Sequence, residues 1–267
     1  MNSPQNPPAH QANMNLNLNM QASISRFHQG VEYLEYLNQV HRVCRPSSYF
    51  EIGVQTGQTL AFAECPSVGV DPDFSHLKAN PIFQKSESHF FRMTSDDFFA
   101  KHNLKTFLPN GPDFSFLDGM HLFEYLLRDF MNTERHSRTD AIVALHDCYP
   151  ANAEMADREE NYGRRADMAT RLMWAGDVWK LLPILRDYRP DLEVTVLDCP
   201  PTGLVMIRRL DAGSRALVDA YDEIVAKYRH VNLETFGIER FRNEFPTVNS
   251  GSVVQPDAMR QFLARYS

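Results

Sequence analysis

The chain has 267 residues, 43% of them hydrophobic and 11% aromatic, which is enough to bury one complete α/β core. Its 27 Lys and Arg against 34 Asp and Glu give a formal net charge of -7 without a basic run, so a nucleic-acid partner is not expected. The four cysteines form no CxxC pair, which excludes a zinc knuckle. No apolar stretch reaches the ~18 residues needed to cross a bilayer, which predicts a cytoplasmic protein without a membrane partner.

The N-terminal part of the chain changes character after about residue 24. Residues 1–24 consist mainly of Met, Asn, Gln, Ala, Pro and Ser without an aromatic residue, a composition that predicts a disordered tail. Apolar residues then recur at three-residue spacing, at Val31, Leu34, Leu37 and Val40. This period predicts an amphipathic helix that ends before Pro46.

Five short apolar runs with helical patterns between them follow this helix. Such alternation predicts parallel strands, here at Tyr49–Gly53, Val68–Asp71, Phe90–Met93, Phe114–Asp118 and Ala141–Leu145. The clearest helix between them begins near His121 and carries its apolar residues on one face. A longer helical segment is predicted from about Arg165 to Leu185.

The pattern changes again after residue 190. Two strand-like runs, Leu192–Leu197 and Leu204–Ile207, are joined by a connection too short for a crossover helix, which predicts an antiparallel hairpin. The whole order predicts a doubly wound α/β fold, with a mostly parallel seven-stranded sheet and an antiparallel edge hairpin. We expect residues 25–210 to form the cofactor-binding domain and residues 211–267 a helical extension, whose phenylalanines could cover the site or pack on a second subunit of a homo-oligomer.

The segment Tyr49–Gly57 reads YFEIGVQTG, an apolar strand that runs directly into two glycines four residues apart. Glycines at such a turn let the backbone approach a ligand closely. The segment has neither the GxGxxG spacing of dinucleotide binders nor the GK[ST] that holds a triphosphate. Gly53 and Gly57 therefore predict a site for a nucleoside-like cofactor without phosphate.

Polar residues at strand ends complete this expected cofactor site. Asp71 ends the second strand in GVDP, where a carboxylate can accept both ribose hydroxyls; a turn or helix cap is its alternative role. Glu51 is placed to meet a positively charged part of the cofactor, or else to bond neighbouring loop amides. Ser95 and Asp96, after the third strand, can reach the adenine edge, or else serve only as a helix N-cap.

Ionisable side chains also follow the fourth and fifth predicted strands, in the segments DGMH and HD. In an open parallel sheet both segments lie at the carboxyl edge, beside the cofactor. A hydroxyl is a poor nucleophile until it loses its proton, and His121 is the candidate base for that step. Asp118 and Asp147 could orient His121 or bind a divalent cation. For His146 we expect a bond to a backbone carbonyl.

The order of motifs along the chain resembles that of the class I SAM-dependent O-methyltransferases. The motifs are FEIGVQTG, GVDP, SDD, FLDGMH with the following EYLLRD helix, and ALHD. The resemblance covers roughly residues 47–208. It is closest to the macrocin- and mycinamicin-type sugar O-methyltransferases and the cephalosporin hydroxylase-like proteins. It implies a Rossmann-like methyltransferase fold, S-adenosyl-L-methionine (SAM) as cofactor, and methyl transfer to a hydroxyl of a small acceptor such as a sugar or glycosylated metabolite.

The resemblance also implies roles for the residues after the fourth and fifth strands. In the sugar-methylating members, the Asp of DGxH and acids at the end of the later strand bind Mg2+, and the His of DGxH is the base. It thus implies Asp118 and Asp147 as metal ligands, with Asp118 also beside the cofactor, and His121 as base. Where those enzymes have two adjacent acids, this chain has His146 followed by Asp147.

Two other functions remain open on the same fold. An NAD-linked oxidoreductase would need a dinucleotide site, against which the spacing of Gly53 and Gly57 argues. A non-catalytic methyltransferase-like binding protein would keep the sheet without the chemistry. Both tryptophans fall in Trp174–Lys180, a segment that either walls an acceptor pocket, where an indole can stack on a sugar ring, or belongs to the core.

Overall fold

The computed structural model describes residues 28–78, 85, 87–167 and 170–264; the predicted tail, residues 1–24, lies outside them. Eight strands form one sheet in the order β3-β2-β1-β4-β5-β7-β6-β8. They are β1 (Tyr49–Ile52), β2 (Ser67–Asp71), β3 (Ser88–Arg92), β4 (Phe114–Leu117), β5 (Ile142–His146), β6 (Glu193–Leu197), β7 (Leu204–Arg208) and β8 (Thr247–Val248).

The pairing confirms the doubly wound, mostly parallel sheet. Strands β1 to β5 pair in parallel, and β6 and β7 form the predicted antiparallel hairpin, with β7 also antiparallel to β5. The two residues of β8 add an eighth strand parallel to β6. Two residues are too few to show a period in the sequence, so this edge strand was not predicted.

Helices cover both faces of the sheet. They are α1 (Tyr33–Cys44), α2 (Ser95–Lys101), α3 (Phe123–His136), α4 (Leu181–Tyr188), α5 (Ala216–Asp219), α6 (Tyr221–Tyr228), α7 (Leu233–Phe236), α8 (Ile238–Glu244), α9 (Ser250–Val253) and α10 (Pro256–Phe262). Short 3-10 helices occupy Leu60–Phe62, Leu104–Thr106, Tyr162–Arg164 and Val178–Lys180. Within the described ranges, no helix is long and apolar enough to cross a membrane.

Alternation along the strands divides the core into two apolar layers, one on each face. On one face, Tyr36 and Leu37 of α1 pack with Tyr49 of β1 and with α10. On the other, Phe50 of β1 packs with the apolar side of α3, which includes Phe123. The two layers cover both faces of the strands whose ends carry the predicted site.

The helix predicted from about Arg165 to Leu185 is wrong over most of its length. The described residues from Arg165 to Asp177 form turns and irregular backbone, and α4 begins at Leu181. Gly176 has a φ of +65°, and a Cβ there would lie 1.8 Å from the carbonyl oxygen of His121. Asp177 then accepts a hydrogen bond from the backbone N–H of Phe123 at 2.9 Å. These contacts dock the segment against the start of α3, and they outweigh its helical period.

Candidate active site

A cavity of about 600 Å³ opens at the carboxyl edge of the parallel strands. Ile52 lies opposite Val70 and Leu117 in the strand register, so the residues that follow β1, β2 and β4 meet at one level. All the predicted site residues except Glu51 and Gly57 line the cavity. Its polar and aromatic lining comprises Gly53, Gln55, Asp71, Thr94, Ser95, Asp96, Asp118, Gly119, His121, Tyr125, His146 and Asp147.

A larger cavity, about 700 Å³, lies at the opposite edge of the sheet. Its lining includes residues 139–142, before and at the start of β5, and residues 208–211, at the end of the antiparallel β7. In open α/β sheets, ligands bind outside the carboxyl ends of the parallel strands. The position therefore favours the smaller cavity as the functional one, despite its size.

At the turn that contains Gly53, the wall of the cavity is formed by the backbone rather than by a side chain. Gly53 has a φ of +86°, and a Cβ on it would lie 1.9 Å from the carbonyl oxygen of Asp118. Asp71 stands next to this turn and accepts N–H bonds from Gln55 at 2.8 Å and Asp73 at 2.7 Å, one on each carboxylate oxygen. Because each oxygen has two acceptor sites, Asp71 keeps capacity for two further donors.

Three polar residues, Thr94, Ser95 and Asp96, follow β3, and they have different roles. Thr94 is the N-cap of α2 and accepts the N–H of Asp97 at 3.1 Å. Asp96 forms a two-pronged ion pair with Arg128 at 2.7 and 2.8 Å. Thr94 therefore takes the capping role considered for Ser95 and Asp96, and those two residues line the cavity from the first turn of α2.

Glu51 lies outside the lining of the cavity. It is fully buried behind the turn and accepts hydrogen bonds from the hydroxyls of Tyr49 at 2.7 Å and Thr59 at 2.6 Å. Burial raises its pKa to about 8, although the two hydroxyl bonds act in the opposite direction. Gly57 shapes the turn, with a φ of +72° and an N–H bond to Val54 at 2.7 Å.

The buried Glu51 carboxyl predicts a pH-dependent stability. Its ordinary pKa is 4.5 and its folded pKa is about 8, so its contribution is fully present below pH 4.5 and is lost as the pH rises through 8. Urea unfolding at several pH values between these limits should show a free energy of unfolding that falls more steeply in the wild type than in Glu51→Gln. The difference in slope should reach at most ~1.4 kcal/mol per pH unit, one proton's worth. Equal slopes in the two proteins would contradict the buried, protonated state.

Four ionisable side chains gather where β4 and β5 end. Nε2 of His121 lies 3.1 Å from Oδ2 of Asp147 and 3.4 Å from Oδ1 of Asp118. Nδ1 of His146 lies 3.3 Å from Oδ2 of Asp118 and 3.4 Å from Oδ2 of Asp147. The structure thus brings together the three predicted catalytic residues and adds His146 as a fourth member; we call these residues the His-Asp cluster.

The four charges of the cluster depend on one another. Burial alone would lower the pKa of His121, but Asp147 and then Asp118 outweigh it and raise that pKa to about 9. Burial likewise acts against the charged form of His146, whose pKa the same two carboxylates raise well above its usual value. In return, the imidazoles hold the pKa values of both carboxylates below their usual range, against the effect of burial. Each imidazole of the cluster therefore favours the charged form of the carboxylates, and each carboxylate favours the charged form of the imidazoles.

Two aromatic residues flank the cluster. The ring of Tyr33, at the start of α1, lies 4.0 Å from that of His146. Tyr33 is held there by its N–H bond to Pro200 in the β6–β7 connection, a long-range contact that no local pattern signals. The carbonyl of Trp174 lies 2.8 Å from Nδ1 of His121, and the two rings are 5.3 Å apart. Trp179, by contrast, is fully buried in the core.

The fold is shared with solved methyltransferases. No protein-family model and no curated protein match the chain. The SAH-bound Podospora anserina methyltransferase PaMTH1 is similar over 79% of this chain and 100% of its own, at 12% identity and a TM-score of 0.51. The O-methyltransferase from Bacillus cereus in complex with SAH covers 75% of this chain and 91% of its own, at 12% identity and a TM-score of 0.49. At such identities the likeness establishes the fold alone: this chain has a Rossmann-like fold found in methyltransferases.

Proposed function

We propose that this protein is a SAM-dependent methyltransferase that acts on a hydroxyl of a small acceptor. The observation that carries the proposal is the cavity at the carboxyl edge of the sheet, where the turn at Gly53 and the carboxylate of Asp71 face the His-Asp cluster. One half of this cavity suits a nucleoside and the other half suits proton chemistry. The shared fold with PaMTH1, which was solved with SAH, supports SAM as the cofactor.

The cofactor half fits SAM by its chemistry. The turn at Gly53 carries no phosphate-binding pattern, and SAM has no phosphate. Asp71 retains acceptor sites for the two ribose hydroxyls, and Ser95 and Asp96 line the side of the cavity where the adenine would lie. Tyr125 and Met120 are 37% and 52% exposed at the cavity, which leaves apolar surface available to a flat base.

The other half would activate the acceptor hydroxyl. These residues offer two ways to activate the hydroxyl. His121 can act as the base, or Asp118 and Asp147 can hold a divalent cation. A bound cation supplies Lewis acidity that makes a coordinated hydroxyl easier to deprotonate. Mg2+ as that cation remains an expectation from the family resemblance.

The surroundings of the cluster suggest the acceptor class. Tyr33 and Trp174 present aromatic rings beside His146 and His121, and Leu172 on the neighbouring segment is 72% exposed. Aromatic faces pack well on the C–H faces of sugar rings, while carboxylates accept hydroxyl hydrogens. We therefore propose a sugar or glycosylated metabolite as the acceptor.

The first test is calorimetric titration of the metal-free protein with SAM and, separately, with NADH. We expect saturable binding of SAM with one site and no binding of NADH. A folded protein that binds no SAM at ~1 mM would overturn the proposal. The second test incubates the protein with methyl-labelled SAM and a panel of hydroxylated acceptors, and label that never leaves SAM would instead favour a non-catalytic binding protein.

A further inference from the structure

The four nitrogen–oxygen distances within the His-Asp cluster are longer than those of direct charge-assisted hydrogen bonds and match the spacing of ligand atoms around one ion. Charge-assisted N–H···O bonds are about 2.7–2.9 Å long, and Arg128–Asp96 and Lys101–Asp97 in this protein are each 2.7 Å. The four separations in the cluster are longer, from 3.1 to 3.4 Å. Ligand atoms at about 2.0–2.2 Å from one metal ion stand roughly 3.0–3.5 Å apart.

In each imidazole, the ring nitrogen that does not face the carboxylates has a partner elsewhere, and this contact orients the other nitrogen toward the cluster. Nδ1 of His121 lies 2.8 Å from the carbonyl oxygen of Trp174, which can only accept, so Nδ1 carries the hydrogen and the neutral ring has its lone pair on Nε2. For His146, Nε2 lies 3.4 Å from the hydroxyl of Thr202, and that hydroxyl donates to Oδ1 of Asp147 at 2.6 Å. Metal-binding histidines are held in this way by a partner on the non-ligating nitrogen.

A buried nitrogen that lacks an aligned hydrogen bond points to the same conclusion. His146 is 7% exposed, and its Nδ1 makes no aligned hydrogen bond among the described residues although it faces both carboxylates. Oδ1 of Asp118 also lacks a hydrogen-bond partner there. Buried polar atoms without partners are uncommon, and each calls for a ligand or another explanation.

We propose that Asp118, His121, His146 and Asp147 together bind one divalent transition-metal ion, with two nitrogen and two oxygen ligands, in preference to Mg2+. One ligand atom from each of Asp118, His121 and Asp147 already lies within 4.8 Å of the others. His146 stands outside that group of three, and its Nδ1 lies 3.3 Å from Asp118 and 3.4 Å from Asp147. Mg2+ takes oxygen ligands and water, whereas imidazole nitrogen favours ions such as Fe2+, Co2+, Ni2+ and Zn2+. The histidine at position 146 therefore changes the ion that the site selects.

This assignment gives His121 a role other than the base. With Nε2 facing the ion and Nδ1–H bonded to Trp174, neither ring nitrogen is free to take the acceptor's proton. As a feature of catalysis, the metal site rests on the proposed methyl transfer, but binding of the ion is measured without cofactor or acceptor. The two proposals can therefore fail separately.

The experiment uses the full chain, dialysed against a chelator and titrated with Co2+, whose visible absorption reports its ligands. We expect 1:1 binding with a nitrogen-containing spectrum, resistant to roughly 100-fold excess Mg2+. His121→Gln and His146→Gln should each weaken Co2+ binding more than ~10-fold, since loss of even an outer partner of a metal ligand has such an effect. Asp97→Asn, which alters an exposed acid on α2, should bind Co2+ like the wild type.

Three results would overturn the metal assignment: no Co2+ spectrum in the wild type, displacement of Co2+ by an equal concentration of Mg2+, or unchanged Co2+ affinity in both histidine variants. The first two of these results are measured on the wild-type protein, so they test the proposal even if a histidine variant fails to fold. Loss of Co2+ binding in His146→Gln but not in His121→Gln would also overturn it and would return His121 to the role of base. If the protein binds SAM but no Co2+, the metal site is wrong and the proposed cofactor still stands.

Discussion

Replacing Gly53 by alanine should abolish SAM binding. An alanine at a φ of +86° is strained by ~1–2 kcal/mol even with space around it. Here its Cβ would also lie 1.9 Å from the carbonyl oxygen and 2.4 Å from the carbonyl carbon of Asp118, backbone atoms that cannot turn aside. The methyl group would force apart the ends of β1 and β4, between which the cofactor and cluster halves of the cavity meet. Calorimetry should show a loss of SAM affinity of at least ~100-fold.

A matched control is Gly163→Ala, because the nearest atom to a Cβ there is 4.0 Å away. That variant should bind SAM with wild-type affinity. If Gly53→Ala fails to fold, Asp71→Asn tests the same cofactor site with a smaller change, since it keeps the shape of the side chain, removes its charge and replaces one of its two acceptor oxygens with an NH2 donor. A charged acceptor is worth ~1–2 kcal/mol more than a neutral one, so SAM should bind about 10-fold more weakly. Wild-type SAM affinity in either Gly53→Ala or Asp71→Asn would contradict this cofactor site.

The sequence was sufficient to predict seven of the eight strands because these strands are short, apolar and bounded by turn residues. The same alternation placed Gly53, Asp71, Asp118, His121 and Asp147 at one edge, and the cavity found there joins them. Such predictions succeed because the carboxyl ends of parallel strands must meet, whatever the helices do.

The features that the sequence did not predict depend on specific side-chain and backbone contacts, several of them between residues far apart in the chain. The backbone of Gly176 docks on His121, more than fifty residues earlier, inside the segment expected to be helical, and Tyr33 reaches His146 through the β6–β7 connection. Glu51 follows the pattern of a strand-end carboxylate, but the hydroxyls of Tyr49 and Thr59 enclose it. Local patterns carry no information about such partners, so burial of Glu51 and the fourth member of the cluster required the structure.

Asp147→Asn should reduce methyl transfer by ~100-fold or more while leaving the fold intact. Asp147 has a left-handed φ of +59°, a conformation that asparagine tolerates about as well as aspartate. The amide oxygen of asparagine can still accept the 2.6 Å hydrogen bond from the hydroxyl of Thr202. What the substitution removes is the charge that faces both His121 and His146. General acid–base and metal-assisted steps are typically worth 10²–10⁴-fold, which sets the expected loss.

The measurement is the rate of label transfer from methyl-labelled SAM to an acceptor found in the panel, together with SAM affinity by calorimetry. Affinity for SAM should change less than ~10-fold, because one nearby charge at a polar site contributes about 1 kcal/mol or less. Asp97→Asn removes an equal charge from an exposed site and should transfer label at the wild-type rate. Asp147→Ala should lose activity and also stability, since alanine is strained at this φ and leaves Thr202 without its acceptor. An asparagine variant as active as the wild type would show that the charge of Asp147 takes no part in activating the hydroxyl.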